Sequence, residues 1–515
     1  MREVTRPTHR QRRPREAGSQ EPQLRSRRYR RITNPFPPLR IFSDDAISAI
    51  HQSALRILAD EGMRILLPAA RHIFSRAGAI VDEAHEHVRI GADIVAHGIA
   101  QLRPSTQLIG GSPERNVPIG GSHVAVVPVA GPPNVSDRVR GRRPGTLEDF
   151  RDFIRLSQMC DVIHLLGPSV EAQDVPVELR HLDLTLAQLT LSDKVPFVWA
   201  RGTAQVADCF AMIRLAHALD EAGFQAQPHC WTNINTNSPR QLDAVMAQGL
   251  IDFAAAGQLT IITPFTLAGA MAPITLAGAL TLAHAEALMG IVLAQLVRPG
   301  APVVYGGFTS NVDMKSGSPA FGTPEFVKAS LGTGQLARHL GLPWRGSNAT
   351  GSAVADEQAT YESAMSLWGT FMGGVNVLVH GAGWLEGGLV ASFEKFILDV
   401  EMLQMMAEIL QPVPASCAEI GLEAIAEVAP GGHFFSTAHT LERYRDAFYA
   451  PMISDWSNYG QWVESGERTA SQRATSAWQR MLQEFTPPAR DAERIEALEA
   501  FAAKRRAEGG ASPAA

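Results

Sequence analysis

From residue 123 onward one pattern repeats along the chain. A short apolar run ends in small, polar or aromatic residues, and a helix-length segment follows. The runs are residues 123–130 (HVAVVPVA), 162–169 (VIHLLGPS), 196–202 (PFVWARG), 225–231 (QAQPHCW), 259–265 (LTIITPF), 302–308 (PVVYGGF), 342–348 (LPWRGSN) and 376–383 (NVLVHGAG). Their starts lie 29 to 43 residues apart, the length of a strand plus a crossover helix. The gaps hold predicted helices over residues 150–160, 176–190, 204–222, 239–256, 275–297, 324–339, 356–372 and 392–410. Thr146-x-x-Asp149 reads as a capping box before the first of them. Pro239 and Pro324 stand where a first helical turn tolerates proline.

Eight βα units predict an α/β chain whose parallel strands close into a (β/α)8 TIM barrel over residues 123–410. The alternative is an open doubly wound sheet, which would more naturally carry a GxGxxG or Walker loop after its first strand; neither occurs. Residues 35–122 read as an α/β lead-in packed on the barrel. There Ser43 caps a helix with the apolar stripe Ile47, Ile50, Leu55, Leu58, and Gly62, Gly78 and Gly91 break the chain. Residues 411–515 read as a C-terminal helical extension.

Charge changes the picture at one end. Residues 1–31 hold 11 Arg, no Lys and 3 Glu, so this stretch carries +8 while the whole chain carries −6, leaving −14 for the rest. Residues 1–34 are therefore expected to be a disordered, solvated extension that packs against nothing, and the alternative is a basic tail for nucleic acid or a membrane surface. No apolar segment follows the arginines, which argues against a secretory or twin-arginine signal. The apolar stretch 276–297 contains His284, Glu286 and Gln295 and reads as a buried helix, so neither a membrane nor a nucleic-acid partner is expected. The 4 cysteines, Cys160, Cys209, Cys230 and Cys417, are widely spaced with no CxxC. That excludes a disulfide framework and a structural zinc site, and it points to a reducing, cytoplasmic setting with no bound metal.

In such a barrel the chemistry sits at the C-terminal strand ends. Aromatic residues make up 7% of the chain, yet most of the later strand ends carry one. Trp199, Trp231, Phe265, Tyr305, Phe308 and Trp384 are candidates for an aromatic cage around a quaternary ammonium ion. Alternation along each strand would send some of them into the core instead. His229, His380, Arg201, Arg345, Asn348 and Glu386 are the polar candidates for orienting a substrate, with His380 and Glu386 in the catalytic positions. Glu394 fits a helix N-terminus. Gly306-Gly307, Gly373-Gly374, Gly381, Gly383 and Gly387-Gly388 allow close approach of a planar ligand, or simply turn tight corners. No GxSxG elbow and no HExxH occur, although spacing alone leaves a Ser-His-Asp arrangement open.

Five stretches carry a resemblance: residues 305–322 (YGGFTSNVDMKSGSPAFG), 323–341 (TPEFVKASLGTGQLARHLG), 358–371 (QATYESAMSLWGTF), 378–399 (LVHGAGWLEGGLVASFEKFILD) and 427–440 (EVAPGGHFFSTAHT). Together they resemble the trimethylamine methyltransferase family, from about residue 35 to about 501. The resemblance implies a (β/α)8 barrel and transfer of a methyl group from a methylated amine, such as a betaine, to the Co(I) corrinoid (cobalamin) of a separate partner protein, with no tightly bound cofactor. A homo-oligomer is also expected. Founding members of the family encode pyrrolysine, which activates a tertiary amine; this chain has only standard residues, and the 348–351 region is the candidate position. A quaternary ammonium needs no such activation, because its leaving group is a neutral amine. The resemblance therefore implies a quaternary-amine demethylase. For a betaine, Arg201 or Arg345 would hold the carboxylate, with Arg345 preferred. The alternative is a non-catalytic barrel that binds methylated amines or scaffolds a corrinoid protein.

Overall fold

The computed structural model describes residues 29–513. It is an α/β fold in which parallel strands form the centre and helices cover them. Trp231–Asn237 pairs with Leu259–Ala268, which pairs in turn with Val303–Gly306. The order continues through Trp344–Ser347 and Val377–Val379 to His123–Val126, each step parallel. Runs 162–169 and 196–202 form single bridges in place of ladders. Val126 O accepts from Leu165 N at 3.1 Å, Leu166 N donates to Val195 O at 3.0 Å, and Val198 N donates to Trp231 O at 3.0 Å.

The helices follow the predicted capping chemistry. Leu147–Met159 starts at the Thr146/Asp149 capping box, and Pro324–His339 has its proline in the first turn. Two expectations shift. Pro239 does not open a helix: the helix Ala244–Ala255 starts after Asp243, whose side chain accepts from Met246 N. The fourth strand is Trp231–Asn237, so the expected run 225–231 lies almost wholly before it. The strand's sequence, WTNINTN, puts Thr232, Ile234 and Thr236 under the helices and leaves Asn233 and Asn235 half-buried on the other face.

Leu276–Val297 is, among the described residues, the one helix long and apolar enough to cross a membrane, and 78% of its apolar window is buried inside the fold. Residues 1–28 lie outside the described residues, so most of the Arg-rich stretch does too. The part that is described corrects the expected boundary at residue 35. Tyr29 is buried, with its hydroxyl donating to Glu408 at 2.9 Å. Arg30 pairs with buried Asp161, and Ile32 pairs with Val124 in the sheet. A buried carboxylate and an unpaired strand edge on the body of the fold supply partners that a reading of the leader's own composition cannot see.

At the C-terminal side, Ala470–Glu484 packs on Phe393–Ile409, and Ala492–Ala507 packs on Val177–Leu191 and Thr203–His217. Glu394 ties the first of these in place, accepting from Thr475 Oγ1 at 2.8 Å and Trp478 Nε1 at 2.9 Å. A second, four-stranded sheet at the C-terminal strand ends joins Trp384–Leu385 and Val390–Ser392 to the hairpin Asn134–Asp137/Gly141–Pro144.

Candidate functional site

A cavity of about 600 Å³ opens at the C-terminal strand ends. Seven of the expected site residues line it: Trp199, Trp231, Phe265, Phe308, Arg345, His380 and Trp384. Phe197, Asn233, Asn235, Thr236, Asn237, Ser238 and Met271 line it as well and were not among the expected site residues. No Asp or Glu lines the cavity among the described residues.

One wall is aromatic, and the Trp231 indole, the Asn233 and Asn235 side chains and the Phe197 backbone on it are paired. Phe197 meets Trp199 edge-on at 5.0 Å and Trp231 edge-on at 4.8 Å. Buried Gln188 fixes Phe197 by bonding its backbone N (2.8 Å) and O (2.9 Å). The Trp231 indole N–H donates to Leu166 O at 3.0 Å. Beside it Asn233 Nδ2 donates to Asn235 Oδ1, and Thr263 Oγ1 donates to Asn233 Oδ1, both at 2.8 Å. Behind this wall buried Glu286 accepts from Thr236 and Ser238, at 2.6 and 2.7 Å.

The second wall is built around Phe308 and Arg345. Phe321 stacks on the Phe308 ring at 5.1 Å, and the Arg345 guanidinium lies over it at 5.2 Å. Arg345 is buried, and its Nη1 donates to Gly307 O at 3.2 Å. Its Nε has no partner, and no carboxylate pairs with it among the described residues. Burial pushes its pKa down, to about 9, which leaves it charged at neutral pH. The His380 ring lies 3.8 Å from that of Trp384, and both His380 Nδ1 and Trp384 Nε1 are buried without a partner. Burial, and then Arg345, hold the His380 pKa well below the ordinary imidazole range, so the ring is neutral.

The loop that presents His380 is held under strain. His380 has φ 60°, uncommon for a residue with a side chain. Asp399 accepts from Gly383 N at 2.8 Å, and Asp399 is itself bound by Lys395, which also donates to Ser363 Oγ at 2.7 Å. At Gly388, φ is 105° and a Cβ would lie 2.5 Å from the Trp384 indole, so only glycine fits that turn against the ring. Gly307 packs on protein in the same way, since a Cβ there would meet Thr333 at 2.2 Å.

Five expected site residues are not in the cavity. Glu386 is spent on Arg142, with both oxygens bound at 3.1 and 3.2 Å. Arg201 pairs with Glu171 at 2.7 Å. Tyr305 faces the helix layer, where its hydroxyl bonds His284 Nδ1 at 2.8 Å. His229 precedes its strand instead of ending it, and packs on His217 and Phe224 at 5.2 and 5.9 Å. Asn348 sits behind the His380 loop and donates to Gly381 O at 3.1 Å.

Residues 8–510 match the family model described as trimethylamine methyltransferase. Glycine betaine methyltransferase of Desulfitobacterium hafniense (strain Y51) is 34% identical over 477 residues, 92% of this chain and 99% of the relative. Trimethylamine methyltransferase of Desulfitobacterium hafniense (strain DSM 10664 / DCB-2) is 29% identical over 449 residues, 87% of this chain and 90% of the relative. The solved monomethylamine methyltransferase of Methanosarcina barkeri aligns with a TM-score of 0.47 at 10% identity, covering 86% of this chain and 93% of that one.

Proposed function

Because the chain belongs to the trimethylamine methyltransferase family, we propose that it takes a methyl group from a quaternary methylated amine and passes it to the Co(I) corrinoid of a partner protein. It is a methyltransferase, and the observation that carries the finer reading is the cavity: aromatic walls and no lining carboxylate among the described residues. In the transfer the C–N bond breaks, its electron pair stays on nitrogen, and a neutral tertiary amine leaves. The cation therefore disappears during the reaction. A carboxylate pressed on the nitrogen would stabilise the charged ground state and raise the barrier. Aromatic faces bind the cation more weakly, and they hold it so that one methyl points to the open mouth.

We also read the eight runs as one (β/α)8 barrel. The backbone bonds that join 162–169 and 196–202 to their neighbours support that reading. The family implies the corrinoid, and the mouth of the cavity suits one. Met271 and Leu389 line it, Leu389 is 54% exposed, and exposed Ile274 and Met314 flank the same turn at Gly269. A rim of exposed apolar side chains fits the flat face of a corrin ring better than a polar rim would. When bound, the reduced corrinoid supplies the nucleophile that accepts the methyl group. The chain's own residues bind and orient the amine. The cytoplasm is the setting this reading requires, and four unpaired cysteines agree with it.

The test is a product assay. The full chain is mixed with cob(I)alamin and a panel of amines, and the N-methyl signals are followed by NMR. A quaternary amine should lose one methyl, while trimethylamine should not react. Robust trimethylamine turnover, or binding of quaternary amines without any transfer, would overturn the proposal.

A further inference from the structure

The walls of the cavity carry no carboxylate among the described residues, but one lies a layer behind them. Glu286, on the helix Leu276–Val297, is fully buried. It accepts from three neutral donors: Thr236 Oγ1 at 2.6 Å, Ser238 Oγ at 2.7 Å and the backbone N of Arg240 at 2.8 Å. Thr236, Asn237 and Ser238 line the cavity, so one layer of residues separates this carboxylate from the space a ligand would fill. Ser238 Oγ also meets Thr266 Oγ1 at 3.1 Å, which ties the layer to the next strand. Asp399 and Glu171, at other strand ends, have cations of their own, in Lys395 and in the pair Arg180 and Arg201. Glu286 has none within ion-pair reach among the described residues, and Arg240 turns its guanidinium to Glu61 at 3.5 Å. The three hydrogen bonds favour the ionised carboxylate, while burial raises its pKa. A buried charge held only by neutral donors is costly. A cation in the cavity, across the 236–238 backbone, supplies the missing counter-charge.

We infer that Glu286 is the counter-charge for the ammonium group, a specificity-determining residue that acts across the 236–238 layer without touching the substrate. This rests on the proposed transfer reaction and adds a residue to it. The placement meets two opposed demands. Capture of a cation is helped by a negative charge nearby. The transfer step is hindered by one in contact, because the positive charge is lost as the C–N bond breaks. From behind a layer of hydroxyl and backbone groups the attraction persists in weakened form. Two strands away, Arg345 is a buried cation lying over the Phe308 ring. The two charges together draw the ammonium to the Trp231–Asn237 side of the cavity and away from Phe308.

Calorimetry on the full chain tests this with glycine betaine and its isostere 3,3-dimethylbutanoate. The two differ only in nitrogen against carbon, so the ratio of their affinities reads the charge. Wild type should prefer glycine betaine, which needs no variant. Glu286→Gln keeps the size of the side chain and one acceptor for the loop. It should cut the ratio about 5- to 20-fold, the scale for charges about 10–15 Å apart at a protein's effective dielectric, by weakening glycine betaine and not the isostere. Glu286→Asp should keep most of the ratio, even where a disturbed loop lowers both affinities. With cob(I)alamin present, Glu286→Gln should raise KM for glycine betaine and leave kcat equal or higher, because the carboxylate stabilises the charged ground state more than the transition state. A merely structural Glu286 would weaken both ligands alike and lower kcat. Equal affinity of wild type for the two ligands, or an unchanged ratio in Glu286→Gln, would overturn the inference. These failures are separable from failure of the transfer reading. Methyl transfer with a ratio indifferent to Glu286 removes the inference alone, whereas a Glu286-dependent ratio without any methyl transfer removes the reaction alone.

Discussion

The two walls of the cavity use similar residue types and treat their polar atoms in opposite ways. On the Trp231 side, the indole N–H, both Asn side chains and the backbone of Phe197 find partners within the protein. Those groups are held in place without a ligand. On the Arg345 side, the guanidinium, the imidazole and the indole each keep a buried nitrogen unbonded, and His380 holds a strained backbone. Natural folds pair most of their buried polar atoms, and each unpaired one needs a physical reason. The two aromatic walls thus differ in how their polar atoms are satisfied.

The difference can be broken from behind. Lys395 and Asp399 form a fully buried pair that holds Gly383 N, and with it the loop carrying His380 and Trp384. Lys395→Met should leave Asp399 buried and unpaired and cost about 3–5 kcal/mol in chemical denaturation. A loss below about 1 kcal/mol would mean that the loop is held by its other contacts. A smaller effect sharpens the comparison. Arg201, the other guanidinium expected to bind a carboxylate, already has Glu171 and is partly exposed. Arg201→Ala should cost at most about 1 kcal/mol of stability and leave the preference for glycine betaine over 3,3-dimethylbutanoate as it was. A changed preference would give the Arg201 strand end a part in binding the ammonium.

The contrast between the walls also explains what could be read in the sequence. Strands 259–265, 302–308, 342–348 and 376–383 were legible because their apolar runs face the helix layer, and Phe265, Phe308, Arg345, His380 and Trp384 followed from their ends. The strand Trp231–Asn237 was displaced in the reading because its inward face lines the cavity, so Asn233 and Asn235 replace the apolar residues that mark a core strand. His229 was placed wrongly for the same reason. Glu386 and Arg201 look like free charges at strand ends, and only the fold brings Arg142 and Glu171 to them. Tyr305 lies on the alternate face of its strand, a parity that an all-apolar run does not reveal. The packing of Tyr29, Arg30 and Ile32 depends on partners more than 80 residues away.

The division of labour between the walls is tested most directly by a crystal structure of the full chain with glycine betaine bound. The account predicts the trimethylammonium group on the Trp231–Asn237 side of the cavity, nearer to the Glu286 carboxylate than to the Arg345 guanidinium. The reverse placement, with the ammonium against Phe308 and Trp384, would contradict it.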